Sequence, residues 1–427
     1  MAEGATPADV AAPKRKRKTR EDNARETREA LLRAGLQVVA RYGYAKASVA
    51  RITQASGVAA GTLYSYFDSH KKFLDELLPT EGVRLLEILG DSAHHSADYF
   101  DHEKRTFVAF FEYLKRRPYF LRVLTEAEVA APESYAQHML NIERRYLRAL
   151  HRAQERGEIR RQTDRSFRLI AEVLSGARGH VAIGFSDPSG TRAFRPVEVP
   201  EWVADTYVKF VRHGLQCEPR NLRAKPTARA RSRTEAPPED TRSLLLNAAA
   251  RVIHKDGYAG ASVQAITQTA GVAVGTFYSH FRSRQTLFDE LLDYARERML
   301  KDVREAVRGS TSFAEIESRG FFGFFDHLLR HPWYVRIESE AALWAPATYV
   351  RHFFEIADRY TSTLRRSRDK GELRAYADLE LPVLAYIFMA ARHYIATRYV
   401  LATPVPKRLP PTLASTYVDF VCRGLSN

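Results

Sequence analysis

Two short segments hold side chains suited to reading a duplex. In Ala60-Gly61-Thr62-Leu63-Tyr64-Ser65-Tyr66-Phe67, helical spacing turns Leu63 and Phe67 inward and puts Thr62, Tyr64 and Tyr66 on the other side. In Val274-Gly275-Thr276-Phe277-Tyr278-Ser279-His280-Phe281, Phe277 and Phe281 turn inward and Thr276, Tyr278 and His280 lie opposite. Short hydroxyl groups and aromatics with a polar tip suit hydrogen bonds to phosphate oxygens and apolar contact with thymine methyls. Ala60-Gly61 and Val274-Gly275 make a nearly bare first turn that could approach base edges closely.

The preceding residues must position these segments. Ser48 and Ser262 stand where a helix N-cap belongs, ahead of two turns carrying Ile52 and Ile266 on the inner face. Gly57 and Gly271 can take a left-handed turn that a β-carbon would penalise, and Val58 and Val272 return to the core. Helix, tight glycine turn, helix is the helix-turn-helix unit, whose second helix fits the major groove.

That the unit occurs twice reflects a duplication of the whole chain. Gly43–Leu78 reappears 214 residues later as Gly257–Leu292, with 22 of 36 positions identical. The same offset pairs Pro118 with Pro332, Ala131-Pro132 with Ala345-Pro346 and Gly157-Glu158 with Gly371-Glu372. A four-residue slip enters only near the end, where Tyr207 and Gly214 pair with Tyr417 and Gly424. Apolar residues recur at helical spacing throughout and no period-two alternation stands out, so the expected fold is all-α. The divisions are a basic arm (1–20), a first helix-turn-helix domain (21–78), a first all-α regulatory domain (79–215), a Pro- and Arg-rich linker (216–240), a second helix-turn-helix domain (241–292) and a second regulatory domain (293–427).

Composition narrows the function. The 427 residues carry 66 basic and 51 acidic side chains, a net +15 that attracts a polyanion. Two cysteines cannot build a disulfide framework or a Cys-rich zinc site, and the chain lacks both a signal-like N-terminus and a run of about 20 apolar residues. A soluble intracellular protein without membrane insertion is expected. No Gly-rich phosphate loop or nucleophile elbow occurs, and adjacent His94 and His95 diverge on a helix, so enzyme, cofactor and metal roles are not expected.

The pattern G-V-x-x-G-T-[LF]-Y-x-x-F followed by S-x-x-x-[LF], present at 57–73 and 271–287, resembles the TetR family of bacterial one-component regulators. The resemblance implies a three-helix DNA-binding domain joined by a fourth helix to an all-α ligand-binding domain, dimerisation through the last two helices, and a cytoplasmic protein, nucleoid-associated when on DNA. By matching position it implies base reading at Ala50 and Gln264 and at Ala60 and Val274, and base or phosphate contacts from Thr62, Tyr64, Thr276 and Tyr278. It implies phosphate binding by Tyr66 and His280, and by His70 and Arg284 where a lysine is usual, with Lys71 able to substitute for His70. Thr53 and Thr267 depart from the family by replacing a small alanine between the two helices, and only the second copy offers a long base-reading side chain, Gln264. Unequal half-sites are therefore expected, the second copy discriminating more.

One chain thus carries both heads of a dimer. A flexible linker of about 25 residues has an r.m.s. span of about 25–30 Å, so the copies can fold back on each other. The expected assembly is an intramolecular pseudo-dimer through helices near 166–185, 202–215, 380–401 and 412–425, bound to double-stranded DNA at an imperfect palindrome, usually as a repressor. Further chain dimerisation stays open. The basic arm could lie along phosphates or enter a minor groove, or be only a solubilising tail.

The C-terminal part of each copy is aromatic-rich, for example at Phe111 and Phe325, which suits either a cavity for a small apolar or amphipathic effector or a packed core. Polar groups retained in both copies, namely Arg122, Glu126, His138 and Arg178 with Arg336, Glu340, His352 and Arg392, are candidates for effector contact. Arg178 and Arg392 stand in apolar helices and need a partner, either Glu126 or Glu340 or an anionic ligand group. The main rival reading is a helical small-molecule binding protein with no DNA function, and the other is a helical enzyme with a buried Arg-Glu site.

Overall fold

The structure, a computed structural model, describes residues 19–186, 199–214, 240–401 and 409–424. The basic run 14–18 and all but the last residue of the linker lie outside the described residues. Among the described residues the chain is helical, with no extended strand.

The first copy runs α1 (Arg20–Tyr42), α2 (Val49–Ser56), α3 (Ala60–Tyr64), α4 (His70–Asp75), α5 (Leu77–Ser92), α6 (Tyr99–Arg116), α7 (Phe120–Ala130), α8 (Pro132–Glu155), α9 (Asp164–Gly184) and α10 (Glu201–His213). The second runs α11 (Thr241–Gly260), α12 (Val263–Ala270), α13 (Val274–His280), α14 (Arg284–Val307), α15 (Phe313–Arg330), α16 (Trp333–Trp344), α17 (Pro346–Asp369), α18 (Leu381–Ala396) and α19 (Pro411–Arg423). α4 and α5 correspond to the single helix α14. Pro79 explains the break: its ring cannot sit against the carbonyl of Asp75, whereas the second copy has Asp293 there. The freed Asp75 carbonyl accepts the Ser134 hydroxyl at 2.7 Å.

Local chemistry sets each head. Ser48 Oγ accepts the Arg51 N–H and Ser262 Oγ the Ala265 N–H, and Gly57 and Gly271 close the helices at φ +72° and +71°. Ile52, Leu63, Phe67 and Phe73 bury against Leu31, Leu32 and Val39 of α1. The two threonines in place of alanine are accommodated because each hydroxyl bonds back within its helix, Thr53 to the Val49 carbonyl at 2.9 Å and Thr267 to that of Val263 at 3.0 Å. Arg28 ion-pairs with Glu76 and lies 5.0 Å over Phe67; Arg242 repeats this with Glu290 and Phe281.

The two copies meet along α9 and α18, flanked by α10 and α19. Glycines allow the approach. A Cβ on Gly176 would lie 2.1 Å from Tyr394, and one on Gly184 2.2 Å from Tyr386. Gly214 and Gly424, at φ +58° and +62°, end α10 and α19 with their backbones in contact. Phe210 sits against both Phe388 and Phe420.

Candidate nucleic-acid interface and effector cavity

The second helix of each unit projects from the core. Tyr64 is 55% exposed, Tyr278 59% and Val274 45%. Ser48, Ala50, Ala60 and Gly61 are exposed, as are Ser262, Gln264 and Gly275, while Thr62, Thr276 and His280 are half-buried. A Cβ on Gly61 or Gly275 would meet nothing within 4 Å, so no contact inside the protein requires either glycine. Tyr66 departs from the expected arrangement: α3 ends at Tyr64, and Tyr66 packs half-buried on the apolar core beyond it.

His70 and Arg284 also depart from expectation. His70 Nε2 donates to the Ala47 carbonyl at 2.6 Å. Arg284 Nη1 donates to the Tyr258, Ala259 and Ala261 carbonyls at 3.2, 3.3 and 3.2 Å, its guanidinium 4.4 Å over the Tyr258 ring. Both polar heads face inward because the turn before α2 or α12 leaves carbonyls without helical partners, and these side chains satisfy them. Lys71 remains exposed and pairs with Asp75 at 2.8 Å. The first head also presents a basic group that sequence reasoning missed: Arg41 and Arg51 lie 5.2 and 5.0 Å over the Tyr42 ring, and Arg51 donates to the Lys46 carbonyl at 2.6 Å.

Arg122, Glu126, Arg336 and Glu340, expected at an effector, instead hold the heads. Glu126 accepts the Tyr44 N–H at 2.7 Å and Arg122 Nε at 2.7 Å, and Arg122 donates to the Ala40 carbonyl at 3.1 Å. Gly43, at φ +80°, leaves room: a Cβ there would lie 2.8 Å from Arg122 and 2.9 Å from Glu126. Arg336 and Glu340 pair at 2.9 Å against Gly257 in the same way. Each pair lies on one turn of α7 or α16, and that turn grips the end of the head's first helix.

The buried arginines find partners sequence reasoning did not name. Arg178 bonds Glu103 at 3.0 Å and Thr106 at 2.8 Å; Arg392 bonds Glu317 at 2.9 Å and the Tyr417 hydroxyl at 3.2 Å. Tyr207 and Tyr417 donate to those same carboxylates at 3.0 and 2.6 Å. Glu103 and Glu317 obey the 214-residue offset, so the repeat itself held the signal.

Around these arginines the copies differ. Arg392 and His352 line a cavity of ≈ 570 Å³ in the second copy, walled by Met299, Phe324, Tyr334 and Phe353. Arg178 and His138 line only ≈ 50 Å³ in the first. There His138 lies over Gly82, where a Cβ would be 2.4 Å from its Nδ1, and burial pushes its pKa down to about 4. The second copy has Arg296 in place of Gly82, and His352 turns to Asp293 at 2.8 Å. Glu338 also lines this cavity, and burial raises its carboxyl pKa. Phe111 and Phe325 line neither space; they pack on Phe107 and Phe321.

Among the described residues one cluster offers metal-type atoms: Asp302, His327 and His331, within 4.8 Å of one another. The same Asp302 oxygen takes His327 Nδ1 at 2.6 Å and Arg330 at 2.8 Å, so a cation already sits on the carboxylate. Among the described residues no helix is long and apolar enough to cross a membrane.

The family profile described as bacterial regulatory proteins, tetR family, matches at residues 31–77 and again at 245–291. An uncharacterized HTH-type transcriptional regulator, YhgD of Bacillus subtilis, is 24% identical over 187 residues, covering 44% of this chain and 97% of that protein. The HTH-type transcriptional regulator UidR of Escherichia coli K12 is 37% identical over 76 residues, covering 18% of this chain and 38% of its own length. The fatty acid degradation regulator FadR of Bacillus halodurans aligns at 18% identity and TM-score 0.39, over 43% of this chain and 94% of that one. With the profile matched on both helix-turn-helix units, the chain carries two tetR-type DNA-binding units in tandem.

Proposed function

We propose that the protein is a cytoplasmic repressor whose two heads, held as an intramolecular pseudo-dimer, bind an imperfect palindrome and respond to an effector in the second copy. The observation that carries this reading is the contact of α9 and α10 with α18 and α19 within one chain, while Tyr64 and Tyr278 stay exposed on separate heads. The heads would divide the work. Gln264, Val274 and Tyr278 give the second a base-reading edge, and Arg41, Lys46 and Arg51 give the first a phosphate grip.

The cavity supports effector control. Ile337, Glu338 and Ala341 of α16 face it, and Arg336 and Glu340 of the same helix grip the second head. Its wall also includes His393, which bonds Glu128 of α7 across the copy interface, and α7 grips the first head through Arg122 and Glu126. A ligand that moved α16 would thus reach both heads.

Selection of bound duplexes from a random pool, with light scattering of the complex, tests the reading. One chain on one duplex, with two unlike half-sites about one helical turn apart, is expected. Two chains on identical half-sites would overturn the pseudo-dimer, and an affinity insensitive to salt would favour the binding protein without DNA function.

A further inference from the structure

The surface joining the copies is built from unlike halves. The pseudo-two-fold relation matches each contact with one made by the counterpart residues, yet the partners differ. Glu172 of α9 ion-pairs with Arg398, which also meets Glu143 at 3.2 Å. The matching contact joins Tyr386 and Gly184, the Tyr386 hydroxyl donating to the Gly184 carbonyl at 3.4 Å. Glu128 accepts Ser339 Oγ at 2.7 Å, His393 Nε2 at 3.0 Å and Thr397 Oγ1 at 3.3 Å. At the matching place stand Ala342 and Gly179. Gly176 receives the Tyr394 ring, and its mirror pair is Ala390 with His180.

We propose that this interface is a heterotypic lock, which accepts one first copy with one second copy and rejects either copy paired with itself. The proposal rests on the pseudo-dimer reading, and adds that side-chain chemistry chooses the partner, beyond what tethering alone provides.

Both homotypic pairings fail, for different reasons. Two first copies would set Glu128, Glu143 and Glu172 from each side against Gly179 and Gly184, with no cation opposite. They would also bring Arg160, which pairs with Asp419 at 2.6 Å, against Lys209, since Lys209 holds the position of Asp419. Two second copies would place the Ala390 methyl where a Cβ lies 2.1 Å from Tyr394, and Arg398 where even a Cβ lies 2.2 Å from Tyr386. Their Glu380, which pairs with Lys209 at 3.1 Å, would then face Asp419. Like charges opposed across an interface reject a partner, and overlap in a close-packed seam does the same.

The test cuts the folded full-length protein at a protease site inserted within 216–239. The product is held with a thiol reductant, since Cys422 is disulfide-bonded, in enough denaturant to let the halves part, returned to reducing buffer, and weighed by native mass spectrometry. The ratio of mixed to self-paired halves, one to one in the statistical 1:2:1 mixture, should rise by at least about tenfold. A 1:2:1 mixture overturns the lock while leaving pairing intact, and unpaired halves alone overturn the pseudo-dimer itself. In the intact chain, Arg398→Glu should open the join and raise the hydrodynamic radius seen by light scattering without forming chain dimers, and adding Glu143→Arg and Glu172→Arg should restore the compact chain. A chain whose state ignores Arg398→Glu refutes the proposal.

Discussion

Raising the pH from 7 to 9 should loosen the join between the copies, and the reason lies in one imidazole. Burial works against a charge on His393, yet Glu128 at 3.0 Å and the more distant Glu338 push its pKa up to about 9, against 6.5 for a free histidine. Because the folded value is raised, its stabilisation is complete below pH 6.5 and is lost as pH climbs through 9. Each pH unit between these values removes about 1.4 kcal/mol, so the step from 7 to 9 should remove about 2–3 kcal/mol. Of the other buried groups, Glu172, which burial raises to about 7, loses its remaining proton at the lower edge of this window and adds only about 0.4 kcal/mol in the same direction, and His138, at about 4, lies outside it. Urea unfolding of the full chain and of Glu128→Gln, at both pH values, provides the assay. The variant should start lower at pH 7, because a buried imidazolium has lost its partner, and should then change far less between the two pH values. If wild type and variant fall in parallel, or wild type does not fall, then His393 does not hold its proton in the way described.

Gly43→Ala should cost about 1–3 kcal/mol in thermal unfolding, since it forces a side chain to φ +80° with its methyl 2.8–2.9 Å from the Arg122–Glu126 pair; Gly61→Ala, with nothing within 4 Å, should not. Gln264→Ala should relax base discrimination in one half-site by about 1–3 kcal/mol and leave the other unchanged, as read by competition binding with operator variants.

What could be read from sequence follows from how local each feature is. Ser48, Gly57, Ser262 and Gly271 act within a few residues, through a cap and a left-handed turn, so the helix-turn-helix units are legible in the sequence. The direction of a side chain at a helix start is not local. His70 and Arg284 sit where phosphate contacts were expected, but carbonyls 23 or more residues away claim them. Arg178 could be recognised as needing a partner, and the repeat offers several carboxylates that both copies keep, but only the fold shows that Glu103, 75 residues distant, is the one. Arg122 and Glu126 were noticed because both copies keep them, yet repetition records a shared constraint without saying whether it is a ligand or a hinge. Glu128 escaped notice because its counterpart is Ala342, and a search for repetition discards what makes the copies unlike.

That unlikeness is itself physically coherent. In a dimer of identical chains every substitution appears twice across the axis, so a carboxylate added to the seam must tolerate its own image. Within one polypeptide the two faces are independent. Glu128, Glu143 and Glu172 can gather on one side because His393 and Arg398 stand on the other, and Gly176 and Gly184 can stay bare because Tyr394 and Tyr386 fill them. The same freedom reaches the interior. The first copy closes its space with His138 over Gly82, while the second keeps ≈ 570 Å³ open and borrows His180 from its neighbour as wall. A symmetric dimer with one closed and one open pocket would need two conformations of one sequence; here the asymmetry is written into the chain.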